Sequence, residues 1–486
     1  MAGLEGALRA WDITKGQDVK NSEKNERWIL GGFIIASGLV LFFNLWARSL
    51  ENHDYIRYAE VAREMIRSGD WIVPRYNGEV YLNKPPLLFW LIAIPSHLYG
   101  SVTPFLARFP SAFSAWLGIF VLFLLGRKIY GSVLPGLFSA GILLSSYQFF
   151  SQARLPKTDM LLCLLILLSI YFFYRGYEEA SRRRSVYFGL SFVSMGLAVL
   201  TKGPFGFFIP FMILTAFLIK EKRIGILVSR DFFLGYFILL LIVLPWPVLF
   251  VQRFGLDQSF ALLKTAHAFT RQAPFYFYFI QIWGQFAPWS ILLPFLGIAV
   301  WRGRSEIWRS RESLILIWFV LLFILLTLFK IRVSRYLLPA LPPLALMLGG
   351  RWKKKFLYFL IPLIGVMLAW HIREFIWIKK DLFYSPGKVL VAELKPILRG
   401  APLYSYHLDV SVLEEVNFYL DPDAPIPQFK KQEDLISQLE KDGKVFVLMT
   451  KKRYEMLQSK GGLALKVAGE FQQRRRERLV LASSSP

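Results

Sequence analysis

Ten charged side chains stand at the ends of apolar runs in this sequence: Asp54, Arg57, Lys84, Arg108, Asp159, Lys202, Arg271, Lys330, Arg332 and Arg335. Charges beside lipid are expensive, so a set gathered on one face of a membrane has a use. A carboxylate serves as a base or an electrostatic partner, while a lysine or arginine holds a phosphate and stabilises it as it leaves. Together these residues describe transfer of a group from a phosphate-bearing lipid. Plainer roles compete. Asp54 and Asp159 each stand where a helix would begin and would serve as caps. Lys84, ahead of two prolines, would anchor at the interface, and Tyr336 would join an aromatic belt. Lys202, Arg332 and Arg335 would simply meet lipid headgroups.

The elements that must position these residues are membrane spans. The 486 residues are 55% hydrophobic and 16% aromatic, more apolar than a soluble globular chain at about 45–50%. A net charge of +24 is not gathered into one stripe but punctuates the apolar runs, which argues against nucleic acid. The single cysteine, Cys163, lies within an apolar run, so the chain has no intrachain disulfide and no cysteine metal cluster. Apolar segments run over Trp28–Trp46 and over about 105–126, 133–149, 160–174, 187–200, 204–219, 232–251, 287–301, 313–329, 336–349 and 356–371. The first reads as a retained helix and not a cleaved signal.

A twelfth segment, Pro86–Tyr99, would reverse every later loop if it crossed. Without that crossing, loops 127–128, 175–184, 220–230, 302–311 and 351–355 share a side with the N-terminus and hold eighteen Lys or Arg. The opposite loops 150–159, 201–203, 252–286 and 330–335 hold nine. The positive-inside rule then makes the N-terminus cytoplasmic, Pro86–Tyr99 interfacial or re-entrant, and the C-terminus external.

Two external regions, 47–104 and 252–286, are too long for simple turns and are expected to be functional. In the first, Tyr55, Ala59, Ala62, Met65 and Ile66 fall at helical spacing, with Arg57, Glu60, Arg63, Glu64 and Arg67 elsewhere. That pattern predicts an amphipathic helix on the membrane surface. After His371, short strands such as Pro402–Tyr406 and Val445–Met449 alternate with helical stretches such as Glu433–Lys441 and Lys452–Gln458, which predicts a small α/β domain. The expected division is a cytoplasmic segment 1–27, a transmembrane domain 28–371 with first external loop 47–104, and an external domain 372–486. In the last, Arg474–Arg476 reads as a solvated run and Asp421-Pro422-Asp423 as a turn.

The sequence resembles the GT-C type of membrane glycosyltransferase, in the bacterial branch of lipid A aminoarabinose transferases and relatives of protein O-mannosyltransferases. The motifs that carry this are His53-Asp54-Tyr55-Ile56-Arg57-Tyr58-Ala59-Glu60, Gly69-Asp70-Trp71, Pro74-Arg75-Tyr76-Asn77-Gly78 and Asn83-Lys84-Pro85-Pro86-Leu87. Arg154 through Asp159-Met160, Thr201-Lys202-Gly203-Pro204, Pro288-Trp289-Ser290 and Arg335-Tyr336-Leu337-Leu338-Pro339 add to them. The resemblance implies a polytopic helical fold of about 11 to 13 spans with the small α/β domain outside. It also implies an undecaprenyl-phosphate type of sugar donor and an envelope acceptor such as lipid A, another glycolipid or a protein hydroxyl. Asp54 and Asp159 match the family's acidic residues, and Lys84, Arg271 and Tyr336 its donor-phosphate ligands, with Arg57, Arg108, Lys202, Arg332 and Arg335 in support. The host would be a bacterial inner membrane.

The chain departs from that pattern at two places. Tyr55 stands where many relatives have a second acid, and Asn83 where the aminoarabinose branch has one. A metal site built from that acid and His267 therefore lacks one partner, and a reaction without cofactor is expected, a divalent ion remaining open. The rival class is a lipid or solute transporter. Transport calls for midplane charges or paired repeats, whereas here the charges gather at one face.

Overall fold

The computed structural model describes residues 28–46, 49–50, 53–266, 273–329, 331–351, scattered positions between 362 and 373, 386–421, 425–442, 444–459, 465–472 and 478–484. Two compact units emerge. The first comprises 1–43, 83–87 and 108–375, and the second 44–82, 88–107 and 376–486.

The first unit is helical. Pro104–Tyr130 (from Arg108 onward), Thr158–Glu178, Arg183–Lys202 and Arg230–Ser259 are each long and apolar enough to span a bilayer. Two expected spans are broken. Segment 133–149 becomes Val133–Ser145 plus Tyr147–Ala153, bent by 70°, and 287–301 becomes the second arm of a 117° bend that begins at Phe277. Trp28–Phe42, Phe205–Lys220 and Ser313–Leu328 are shorter apolar helices. Segment 336–349 opens as a 3₁₀ turn, Ser334–Ala340, before the helix Leu341–Gly349. Span 356–371 falls largely outside the described residues. The observed helices run past the expected ends because backbone hydrogen bonding continues through terminal charges that hydropathy discounts.

Where two consecutive helices run antiparallel, residues at the start of one meet residues at the end of the next. Thr158–Glu178 and Arg183–Lys202 form such a pair, joined by a four-residue turn. A second turn follows at once. Gly203, at φ 77°, ends the helix in a conformation other residues resist, and Pro204 precedes Phe205–Lys220. A Cβ on Gly206 would stand 2.2 Å from the Ala198 carbonyl carbon, so these two helices touch backbone to backbone. At the far end of Thr158–Glu178, Glu178 meets Lys128 at 2.7 Å and Arg311 at 3.2 Å, and accepts from the Tyr174 hydroxyl at 2.9 Å.

In the second unit the first-loop helix is His53–Ser68, followed by a hairpin of β1 (Arg75–Tyr76) and β2 (Glu79–Val80). Asn77 and Gly78 take positive φ at its tip, and their amides donate to the Glu64 carboxylate at 2.5 and 3.1 Å. Pro86–Tyr99 forms the helix Leu87–Tyr99, about 20 Å long at 1.5 Å per residue and too short to cross about 30 Å of hydrocarbon. The first-loop helix forms as expected, but two residues of its polar face are not solvated. Glu60 and Arg63, assigned to its polar face, are 6% and 9% exposed. They neutralise one another at i,i+3 and face protein, not water.

The rest of this unit holds a five-stranded sheet with helices packed against it. Strands β3 (Leu403–Tyr406), β4 (Gln428–Phe429), β5 (Phe446–Thr450), β6 (Lys466–Gln472) and β7 (Arg478–Ser483) lie in the order β4-β3-β5-β7-β6. β3 is parallel to β4 and β5, and β7 is antiparallel to β5 and β6. Alternation along β5 feeds two cores. Phe446 and Leu448 pack with Leu394 and Val416 of the helices Pro386–Leu398 and Val410–Leu420. Val447 and Met449 pack with Leu435 and Leu457 of the helices Gln432–Lys441 and Lys451–Ser459. Arg474–Arg476, Pro422 and Asp423 lie outside the described residues, while Asp421 caps Val410–Leu420 in the left-handed conformation.

Candidate functional site

The antiparallel helix pair of the first unit creates the site. Asp159 occupies the first turn of Thr158–Glu178, where the helix dipole favours an acid, and Lys202 is the last residue of Arg183–Lys202. The turn between the helices brings these two ends to one level, and Lys202 ion-pairs with Asp159 Oδ1. Asp159 Oδ2 stands 3.4 Å from Arg335 Nε. Both oxygens of a carboxylate 4% exposed are thus engaged by cations. The ring of Tyr336 lies 4.1 Å from Lys202 Nζ and 6.0 Å from the Arg335 guanidinium, close enough for cation–π attraction.

These groups open onto a cavity of about 520 Å³ lined by Asn83, Lys84, Asp159, Lys202, Arg335 and Tyr336 at its polar part. Lys84 Nζ donates to the Asn83 carbonyl at 2.7 Å. The remaining lining is apolar: Leu162, Phe205, Ile209, Leu325, Leu326, Leu328, Phe329, Ile331 and Pro339. Three cations against one carboxylate leave the polar part with two net positive charges. The chemistry that fits is a phosphate at the cations with an apolar chain along the wall.

Five sequence candidates therefore converge: Lys84, Asp159, Lys202, Arg335 and Tyr336. Arg332 does not join them. Its Nη1 donates to the Ala273 carbonyl and its Nη2 to the Thr327 carbonyl at 2.7 Å, so it ties backbone segments together. Arg108 is buried in the helix Pro104–Tyr130 and does not line the cavity. Arg271, Lys330 and His267 lie outside the described residues. Among the described residues no three of His, Cys, Asp and Glu converge to hold a metal ion.

Asp54 and Arg57 belong to the second unit. Asp54 is in the first turn of His53–Ser68, and Arg57 Nη1 stands 4.0 Å from its Oδ1. The Arg57 guanidinium lies over the rings of Tyr76 and Tyr81 at 5.5 and 5.7 Å. Burial, then the facing Glu414 carboxylate, pushes the Tyr76 hydroxyl well above the usual phenol range, so it stays neutral.

Sequence reading missed Asn83 as a lining residue, although its side-chain oxygen is buried without a hydrogen-bond partner among the described residues. Its only signal was adjacency to Lys84. The apolar wall carried no signal, since a residue facing a lipid-binding cavity and one facing bulk lipid are chosen by the same hydrophobicity.

A multi-helix membrane bundle whose apolar cavity ends in clustered cations defines a class of protein suited to an anionic head on an apolar chain. The chain is similar in sequence and in fold to known membrane glycosyltransferases. Residues 30–258 match the family described as dolichyl-phosphate-mannose-protein mannosyltransferase. The undecaprenyl phosphate-alpha-4-amino-4-deoxy-L-arabinose arabinosyl transferase 1 of Pseudomonas fluorescens Pf0-1 is 26% identical over 332 residues, 67% of this chain and 58% of that protein. ArnT from Cupriavidus metallidurans in the apo state superposes with a TM-score of 0.77 at 20% identity, over 94% of this chain and 98% of that one. The same protein bound to undecaprenyl phosphate gives 0.74 at 19% identity, over 93% and 98%. The chain spans about three fifths of the length of the curated relatives it matches.

Proposed function

We propose that this protein is a multi-pass enzyme of a bacterial inner membrane that moves a sugar from an undecaprenyl-phosphate type of donor to an envelope acceptor. Lipid A, another glycolipid or a protein hydroxyl would serve as that acceptor. The reading rests above all on Lys84, Lys202, Arg335 and Tyr336 around the polar part of an apolar cavity. It is supported by the relatives named as undecaprenyl phosphate aminoarabinose transferases and by the likeness to ArnT with undecaprenyl phosphate bound.

In the proposed reaction an acceptor hydroxyl oxygen bonds to the anomeric carbon while the bond from that carbon to the phosphate oxygen breaks. The leaving polyprenyl phosphate keeps the electron pair, and the hydroxyl proton passes to Asp54. Lys84, Lys202 and Arg335 stabilise charge as it concentrates on the leaving oxygen, and the Tyr336 hydroxyl donates to it. Arg271 would add a phosphate contact on the family pattern alone. In this proposal Asp159, with both oxygens engaged, assists by holding Lys202 and Arg335 in place.

The proposed topology has about 11 to 13 spans, a cytoplasmic N-terminal segment 1–27, a transmembrane domain 28–371 and an external domain 372–486. The proposed active site lies on the external side with the first loop. The deciding assay supplies purified chain with polyprenyl-phosphate sugars and a glycolipid acceptor, and follows sugar mass on the acceptor with release of polyprenyl phosphate. Movement of intact donor across a vesicle bilayer without sugar release would make the protein a transporter.

A further inference from the structure

The helix Val410–Leu420 of the terminal domain spends its polar groups on the first loop, over 350 residues away in sequence. It ends at Asp421, leaving carbonyls of its last turn without helical partners. Arg63 takes one of them, donating from Nη1 to the Phe418 carbonyl at 2.8 Å, and its Nη2 donates at 3.2 Å to the Asn417 carbonyl, which also accepts from the Asp421 amide. The same guanidinium pairs with Asp421 and with Glu60, and lies 5.0 Å from the Phe418 ring centre. Arg67 adds a second bond to Asp421. One residue along, the Tyr419 hydroxyl exchanges hydrogen bonds with the amide and carbonyl of Leu50, at 2.7 and 3.1 Å. A turn and a half earlier, the buried Glu414 faces the hydroxyl of Tyr76, whose ring lies beneath Arg57.

These contacts meet the first loop at residue 50, at the middle of its helix and at its hairpin, all within one unit. Apolar packing alone would hold two helices together without fixing rotation or register. A planar guanidinium shared between two carbonyls and two carboxylates fixes both.

We propose that Val410–Leu420 is the positioning element of the transfer reaction, and that Arg63 is the positioning residue that sets the turn carrying Asp54 and Arg57. The terminal domain then contributes to turnover without touching a reactant. The proposal rests on the function proposed above, in which Asp54 acts on the acceptor.

The test uses the full chain in detergent, with a polyprenyl-phosphate sugar donor and a glycolipid acceptor. Wild type, Arg63→Lys and Tyr76→Phe are compared for kcat, donor KM, polyprenyl-phosphate binding and thermal unfolding. Arg63→Lys keeps the charge but loses the fork, and displacement of the Asp54 turn by about 1 Å should lower kcat by about 10- to 100-fold. Donor KM and polyprenyl-phosphate binding should stay within about twofold, since Lys84, Lys202, Arg335 and Tyr336 belong to the other unit. Tyr76→Phe keeps the ring under Arg57 and deletes only the hydroxyl that faces Glu414, so it provides a milder variant with the same split if Arg63→Lys misfolds. Full kcat per folded molecule in either folded variant, or a loss confined to donor KM, overturns the positioning role. A wild-type chain that transfers no sugar from any such donor overturns the function itself.

Discussion

Asp159→Asn separates a reacting carboxylate from one that organises cations. Asp159 is 4% exposed, and its charge is the counterpart of Lys202, whose side chain is 14% exposed. Removing one member of a buried pair leaves an uncompensated charge and costs about 3–5 kcal/mol. The arm to Arg335 is longer, at 3.4 Å, and that side chain is 33% exposed, so it adds at most about 1 kcal/mol. The ligand-free variant should therefore lose about 3–5 kcal/mol of stability. A bound phosphate supplies the missing negative charge, so polyprenyl phosphate should stabilise Asp159→Asn more than it stabilises wild type. The assay is thermal unfolding in detergent with and without polyprenyl phosphate, beside single-turnover sugar transfer. A variant as stable as wild type without ligand, stabilised by the same amount with ligand, yet inactive, would refute the argument and return Asp159 to the reaction itself.

Lys84→Ala should lower kcat/KM by the worth of one charge-assisted contact, about 1.5–3 kcal/mol or roughly 10- to 150-fold, measured at saturating acceptor. Asp54→Asn should reduce single-turnover transfer by about 10²–10⁴-fold, while polyprenyl-phosphate binding and unfolding temperature stay near wild type. Reporter fusions after Arg183 should read cytoplasmic and fusions after Pro486 external; a cytoplasmic reading at Pro486 would overturn the proposed sidedness.

Much of the cationic site was legible because its residues fall at helix ends. Asp159 opens an apolar run, and Lys202 closes another just before Gly203-Pro204, so hydropathy and turn chemistry alone brought them to one level. Arg332 and Arg335 show the limit. Three residues apart in one loop, they looked equivalent, yet one binds two backbone carbonyls and the other faces the cavity. That choice depends on where residues 273 and 327 lie, which no local pattern encodes. The first-loop helix shows the same limit in another form. Its periodicity marked the apolar face correctly, but Glu60 and Arg63 are buried because they satisfy each other and the end of a distant helix. The bends at 146 and near 286–288 were hidden because apolar composition continues through them.

The helix Thr158–Glu178 is moored at both ends. Lys202 and Arg335 grip its first turn, and Lys128 and Arg311 grip its last. A piston stroke of a single residue, about 1.5 Å along the axis, would strain the ion pairs at both ends at once. In the proposed function, motion that admits or releases a lipid would come from the elements around this helix, turning about a mast that keeps its height. In the proposed function, the charges that would hold the phosphate are then fixed in depth, and the depth at which a lipid-borne sugar would be presented is a property of the scaffold, the same for every acceptor.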